Sequence, residues 1–129
     1  MQTIDFKAFI NRILLCLVVA FTVFSCNSRT KGGVYMRTMV SYYADKFEGK
    51  KTASGQIYRH SGMTASNTSL PFGSRVEILN EENGKSVTVT VNDRGPLKAS
   101  REFDLSQGAF KRIASLNQGV IKVKYRILR

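Results

Sequence analysis

One stretch constrains this chain more than any other: Val87-Thr88-Val89-Thr90-Val91-Asn92-Asp93-Arg94-Gly95-Pro96. Its strict alternation of β-branched residues is the period-two signature of a strand with one buried face. The pattern ends abruptly at Gly95 and Pro96, which halt a strand and open a turn. Asp93 and Arg94 therefore stand at the mouth of a rigid element. A carboxylate and a guanidinium held there can meet a ligand, or can simply close the turn.

The flanking sequence supplies partners for that strand. Arg75 to Asn80 alternates with Val76 and Ile78 on one face. Asn83-Gly84 between the two runs is the strongest short hairpin signal. Residues 37–44, rich in strand formers, read as the first strand, and Met63–Ser66 as a short one. Asp45 to Gln56, polar with Gly49 and Gly55, reads as a loop. Ser106 is a suitable N-cap for a helix from Gln107 to about Ser115, with Phe110, Ile113 and Ala114 inward. Val120 to Leu128 closes the chain as a strand with one apolar and one basic face. About six short strands with one short helix make a mainly β chain and argue for a small closed barrel.

The first quarter has a different character. Lys7 and Arg12 precede an apolar run of 12 residues, Ile13 to Phe24, followed by Ser25-Cys26. A basic start, a short apolar centre and a small residue form a secretory signal too short to span a bilayer comfortably. The Cys at its end resembles the bacterial lipobox, which implies cleavage after residue 25 and lipid on Cys26. An ordinary signal peptide or a short anchor helix with an incidental Cys is the alternative. Residues 26–36, polar and Gly-containing, then read as a flexible tether, and 37–129 as the folded domain.

Without residues 1–25 the chain keeps 18 Lys and Arg against 8 Asp and Glu, a net charge of +10. A basic exported domain suits an anionic wall or membrane surface, although the charge can serve solubility alone. Its basic residues are scattered, with no nucleic-acid-binding pattern, so nucleic acid is not an expected partner. One His and no Cys beyond Cys26 leave too few ligands for a metal site, and no cofactor is expected.

Several motifs, in order, carry a family resemblance: Ser41-Tyr42-Tyr43, Thr52-Ala53-Ser54-Gly55, Thr64-Ala65, Leu70-Pro71-Phe72-Gly73, Asn83-Gly84, Asn92-Asp93-Arg94-Gly95-Pro96 and Asp104-Leu105-Ser106. Together they resemble the rare lipoprotein A (RlpA) family over residues 38–128. That resemblance implies a six-stranded double-psi β-barrel. It also implies lytic transglycosylase activity on peptidoglycan, in which the MurNAc–GlcNAc bond is cut without water and a 1,6-anhydro sugar remains. The family's catalytic positions fall on Gln56, Asn67 and Asp93, where the family has Glu, His and Asp. Only Asp93 keeps the family's residue.

Cleaving a glycosidic bond needs a proton on the leaving oxygen and stabilisation of an oxocarbenium-like transition state. A lytic enzyme takes its nucleophile from the substrate's own C6 hydroxyl, so one carboxyl can in principle both give and take the proton. Asp93 is the family-aligned group able to do so, provided the Arg94 guanidinium points elsewhere. The amides of Gln56 and Asn67 can only hydrogen-bond sugar hydroxyls or an N-acetyl carbonyl. A non-catalytic glycan-binding module and a structural partner of other wall or division proteins are therefore the competing readings. Tyr42 and Tyr43 should point to opposite faces, one to the core and one to a sugar. Thr52, Asn92, Arg94 and Asp104 are further candidate sugar contacts, Asp104 with a capping role at the helix start as its alternative. His60, Glu48 and Glu102 read as solvated surface groups.

Overall fold

The computed structural model describes residues 33–96 and 98–128. The apolar leader, Cys26 and the tether as far as residue 32 lie outside the described residues. Six strands close into a barrel: β1 (Met36–Tyr42), β2 (Thr64–Ser66), β3 (Arg75–Asn80), β4 (Ser86–Asp93), β5 (Arg101–Leu105) and β6 (Ile121–Leu128). Around the barrel they run β1-β5-β2-β4-β3-β6. The β1/β5 and β2/β4 pairs are parallel, and the other four are antiparallel. The short helix α1 (Gln107–Ile113) follows β5.

The alternating pattern dictates which residues fill the interior. Val76, Ile78, Val89, Val91, Phe103, Leu105 and Val123 are fully buried, together with Val40 and Ala65. Each such side chain taken from water contributes about 1.5–3 kcal/mol. Helix α1 closes one side of this core with Ala109, Phe110 and Ile113. Ser106 caps it, its hydroxyl accepting from Ala109 N at 3.2 Å. At the other end, the Asn80 and Asn83 carboxamides both donate to the Ile113 carbonyl, at 2.8 and 2.9 Å. The Asn83-Gly84 turn thus joins β3 to β4 as a hairpin and also ties the helix to it.

Two sequence expectations change. Residues 101–105, to which the sequence reading assigns no strand, form β5, which lies between β1 and β2. Its alternation is short, with only Phe103 and Leu105 inward. Asp104 therefore belongs to a strand and does not cap α1; Ser106 alone has that role. The segment read as a loop, Asp45 to Gln56, contains a 3₁₀ turn at Asp45–Phe47, and just beyond it Lys51 bridges Ile57. The basic face of β6 is present but partly neutralised, with Lys124 Nζ 2.7 Å from Glu81 and Arg126 paired to Glu77.

Candidate active site at the end of β4

The end of β4 departs from regular pairing, and the site depends on that departure. Val87, Val89 and Val91 face the core, so continued alternation would send Asp93 inward as well. Instead the register slips: Ala65 of β2 pairs with Val91, but Ser66 pairs with Asp93. Asn92 and Asp93 together oppose one residue, and such bulges re-aim a side chain. Ser66 follows the core residue Ala65 and also pairs with Asp104 on β5. Asp93, Ser66 and Asp104 are thus lateral neighbours on three adjacent strands.

Three donors fix the Asp93 carboxylate. The Tyr43 hydroxyl donates to Oδ2 at 2.7 Å. Ala53 N and Arg94 N each donate to Oδ1 at 2.8 Å. A carboxylate has about four acceptor positions, so one position, on Oδ2, remains for a further donor. Burial, then the bond to Asp93, pushes the Tyr43 phenol well above the ordinary tyrosine range, so it stays a donor. Tyr43 is itself held by stacking on Tyr58, ring centres 4.4 Å apart, and by an edge contact with Phe47. Tyr42 turns the other way, packing on Phe110 and donating to the Leu116 carbonyl. The opposed faces expected for the two tyrosines are present, but the outer one spends its hydroxyl on Asp93.

Two loops meet Asp93, one at its carboxylate and one at its backbone carbonyl, which accepts from Asn67 N at 3.1 Å. In the first, Thr52 N donates to the Gln56 carbonyl at 2.7 Å, and the Thr52 hydroxyl donates to the same oxygen at 3.0 Å. Gly55 takes φ +90°, which a side chain would strain. This tight turn presents Ala53 N to Asp93, and Ser54 N donates to the Asn92 carbonyl. The Asn92 carboxamide donates to Gln56 Oε1 at 3.0 Å, linking two predicted site residues. Thr52 is buried and holds the turn; Gln56 is exposed.

The second loop follows β2. Its anchor is Asn67, whose side chain is only 4% exposed. Asn67 Nδ2 donates to the Glu102 carbonyl, and Oδ1 accepts from Ser69 N and Leu70 N. This carboxamide is therefore spent on the turn, which Asn67 braces beside Asp93. Arg94 turns its guanidinium to the same loop, donating to the carbonyls of Asn67 and Leu70 at 3.1 and 3.0 Å. The guanidinium also lies 3.8 Å from the centre of the half-exposed Phe72 ring. The condition set for Asp93 from the sequence is met: the guanidinium points away from it.

Of the three residues read as surface groups, Glu48 and Glu102 are exposed and His60 is partly buried, and all three also make defined contacts. His60 Nδ1 lies 2.9 Å from the Tyr58 hydroxyl, and its backbone N donates to Glu48 at 2.6 Å. That backbone bond is the main reason the Glu48 carboxyl sits below the usual range. Glu102 accepts from the Tyr125 hydroxyl. Sequence reading missed Ser66, Tyr58 and Phe47 as parts of the site. Among the described residues no group of His, Cys, Asp and Glu could hold a metal ion.

Comparison with known proteins identifies the family and the fold. The family described as lytic transglycolase, defined on the double-psi β-barrel, matches residues 36–125. The chain belongs to that family. A Treponema pallidum protein named probable endolytic peptidoglycan transglycosylase RlpA is 49% identical over 83 residues, 64% of this chain and 26% of that one. A Synechocystis protein of the same name is 41% identical, over 78% of this chain and 30% of its own length. The Neisseria meningitidis endolytic peptidoglycan transglycosylase RlpA is 43% identical, over 65% and 35%. The chain thus spans about a quarter to a third of these relatives. Among solved structures, the Streptomyces papain inhibitor superposes with TM-score 0.61 at 27% identity, covering 75% of this chain and 96% of that one. An expansin from Clavibacter michiganensis, solved with cellohexaose, superposes with TM-score 0.59 at 18% identity over 74% and 51%. The architecture is a double-psi β-barrel.

Proposed function

We propose that this chain is a peptidoglycan lytic transglycosylase that cuts glycan strands at the MurNAc–GlcNAc bond and leaves a 1,6-anhydro end. The observation that carries the reading is Asp93: a carboxylate fixed by three donors, with one acceptor position left on Oδ2, at the open end of β4. A group so held can accept the C6 hydroxyl proton of a bound sugar without first reorganising, which is what preorganised sites contribute. Family membership and the names of the relatives support the same substrate. Exposed Gln56 offers its amide to sugar hydroxyls, while Asn92, only 5% exposed, holds Gln56 in place through its own carboxamide; Arg94 with Phe72 offers a flat cationic surface. Asn67 acts by bracing the second loop.

No step of this chemistry needs a cofactor. The loss of Glu and His at positions 56 and 67 predicts a slow enzyme, since positioned acid–base help is worth about 10²- to 10⁴-fold. The reaction is tested by digesting purified peptidoglycan and reading the products for anhydro ends. Binding of glycan strands with no new ends would instead make the chain a wall-binding module.

The leader sequence supports an exported protein tethered through lipid on Cys26 and facing the periplasm, which brings the barrel to the wall. Cys26→Ala should release it from membrane fractions. Continued tight association would mean that the apolar run itself is the anchor.

A further inference from the structure

Asp104 is a carboxyl that no role described so far requires. It lies on β5, where Ser41 of β1 flanks it on one side and Ser66 of β2 on the other. Ser66 in turn pairs with Asp93 on β4. The two aspartates therefore bracket Ser66 across two strand spacings, a Cα separation of roughly 10 Å. Two carboxyls based that far apart can approach a single glycosidic bond from its two sides. The Tyr43 phenol connects them: it donates to Asp93, the Ser66 hydroxyl bears on it, and it feels the charge of Asp104 as well.

Their surroundings differ in kind. Asp93 accepts three hydrogen bonds, from the Tyr43 hydroxyl, Ala53 N and Arg94 N. Asp104 is mostly withdrawn from water, and its Oδ1 has no hydrogen-bond partner. Its nearest cation, Arg101 Nε, stands 3.6 Å away, outside hydrogen-bonding distance. Burial raises the Asp104 carboxyl above the usual range, against the opposing pull of Arg101 and Lys98. Those two cations, with Ser41 of β1 and Ser66 of β2 flanking it and the Tyr43 phenol within reach of its charge, are its polar neighbours among the described contacts. Pairs of carboxyls whose environments differ in this way divide acid and base roles.

We propose that Asp104 is the general acid of the transglycosylase reaction, with Asp93 as its base. The inference rests on the transglycosylase reading. In the step, the Asp104 proton passes to the glycosidic oxygen as the C1–O bond breaks and that oxygen leaves as the 4-hydroxyl of GlcNAc. The C6 oxygen of MurNAc bonds to C1, and its proton passes to Asp93. Water is not consumed, and solvent exchange restores the two carboxyls. On this account the chain makes up for Gln56 and Asn67 with an acid from a different strand.

The test compares two substrates in the full-length protein: glycan strands, and the 4-nitrophenyl β-glycoside of GlcNAc-MurNAc, whose leaving group needs no protonation. Asp104→Asn should lower turnover of strands by about 10²- to 10⁴-fold and leave release of nitrophenol close to the wild-type rate. Asp93→Asn should lose both. Equal losses on the two substrates for Asp104→Asn, or no loss on strands, would overturn the assignment. Arg101→Gln provides a check that keeps the acid in place. Removing the cation lets the carboxyl hold its proton to higher pH, so the alkaline limb of the pH–rate profile should move upward; an unmoved limb would also overturn it. Wild-type protein that makes no anhydro ends would instead remove the transglycosylase reading itself.

Discussion

Tyr43→Phe isolates what the fixed carboxylate contributes. The substitution deletes one oxygen, the donor 2.7 Å from Asp93 Oδ2, and keeps the ring that stacks on Tyr58. A hydrogen bond to a charged group is worth about 1.5–3 kcal/mol. Asp93 keeps its two backbone donors on Oδ1, but Oδ2 is then free to rotate out of the position from which it meets the substrate. If that bond's worth is expressed in the transition state, kcat on glycan strands should fall by about ten- to a hundredfold, given 1.36 kcal/mol per factor of ten. KM should change little, because the hydroxyl is already engaged and does not hold sugar. The phenol is half-buried and its ring contacts persist, so the melting temperature should drop by only a few degrees. Initial rates across substrate concentration, with a thermal melt alongside, decide the matter. A raised KM at unchanged kcat would show that Tyr43 binds substrate directly and would refute the positioning argument.

The two departures from the family pattern should behave differently when reversed. Gln56→Glu keeps an acceptor for the Asn92 carboxamide and adds a carboxyl at an exposed position, so the rate of strand cleavage should rise with little change in stability. Asn67→His removes a buried carboxamide that donates to Glu102 and accepts from Ser69 and Leu70; leaving such groups unpaired costs about 1–3 kcal/mol each, read as a lower denaturation midpoint and no gain in rate. Gly108→Ala tests the docking of α1: a Cβ there would lie 2.6 Å from the His60 carbonyl, which also accepts from Gly108 N. Overpacking of this kind costs about 1–3 kcal/mol and should appear in the same denaturation measurement.

Much of the barrel was legible in the chain because one physical signal wrote it. Val87, Val89 and Val91 alternate without interruption, Asn83-Gly84 marks the hairpin, and Ser106 marks the helix start, each a local rule acting over a few residues. Strand β5 was hidden because Arg101-Glu102-Phe103-Asp104-Leu105 places only two apolar side chains inward, and its charged residues resemble a turn. The site was legible as a set of motifs but not as an arrangement. No periodicity foretells that the β4 register slips at Asn92, yet that slip is what sets Asp93 beside Ser66. Nor could spacing show that Tyr43 reaches Asp93 across 50 residues, or that Arg94 turns to the Asn67–Leu70 carbonyls. These contacts are tertiary, fixed by barrel closure between strands distant in sequence. The same closure explains why Asn67, aligned with a catalytic position, is found bracing a turn: a short buried amide satisfies the backbone groups around it.

The account depends most on Asp93 as a reacting group in a working transglycosylase. The most direct measurement is a digest of purified peptidoglycan, with and without stem peptides, by the wild-type protein and by Asp93→Asn, with products read by mass spectrometry. The account predicts 1,6-anhydroMurNAc ends from the wild type and none from the variant, while both proteins melt cooperatively. Anhydro ends that persist in Asp93→Asn, or intact strands after wild-type digestion, would contradict it.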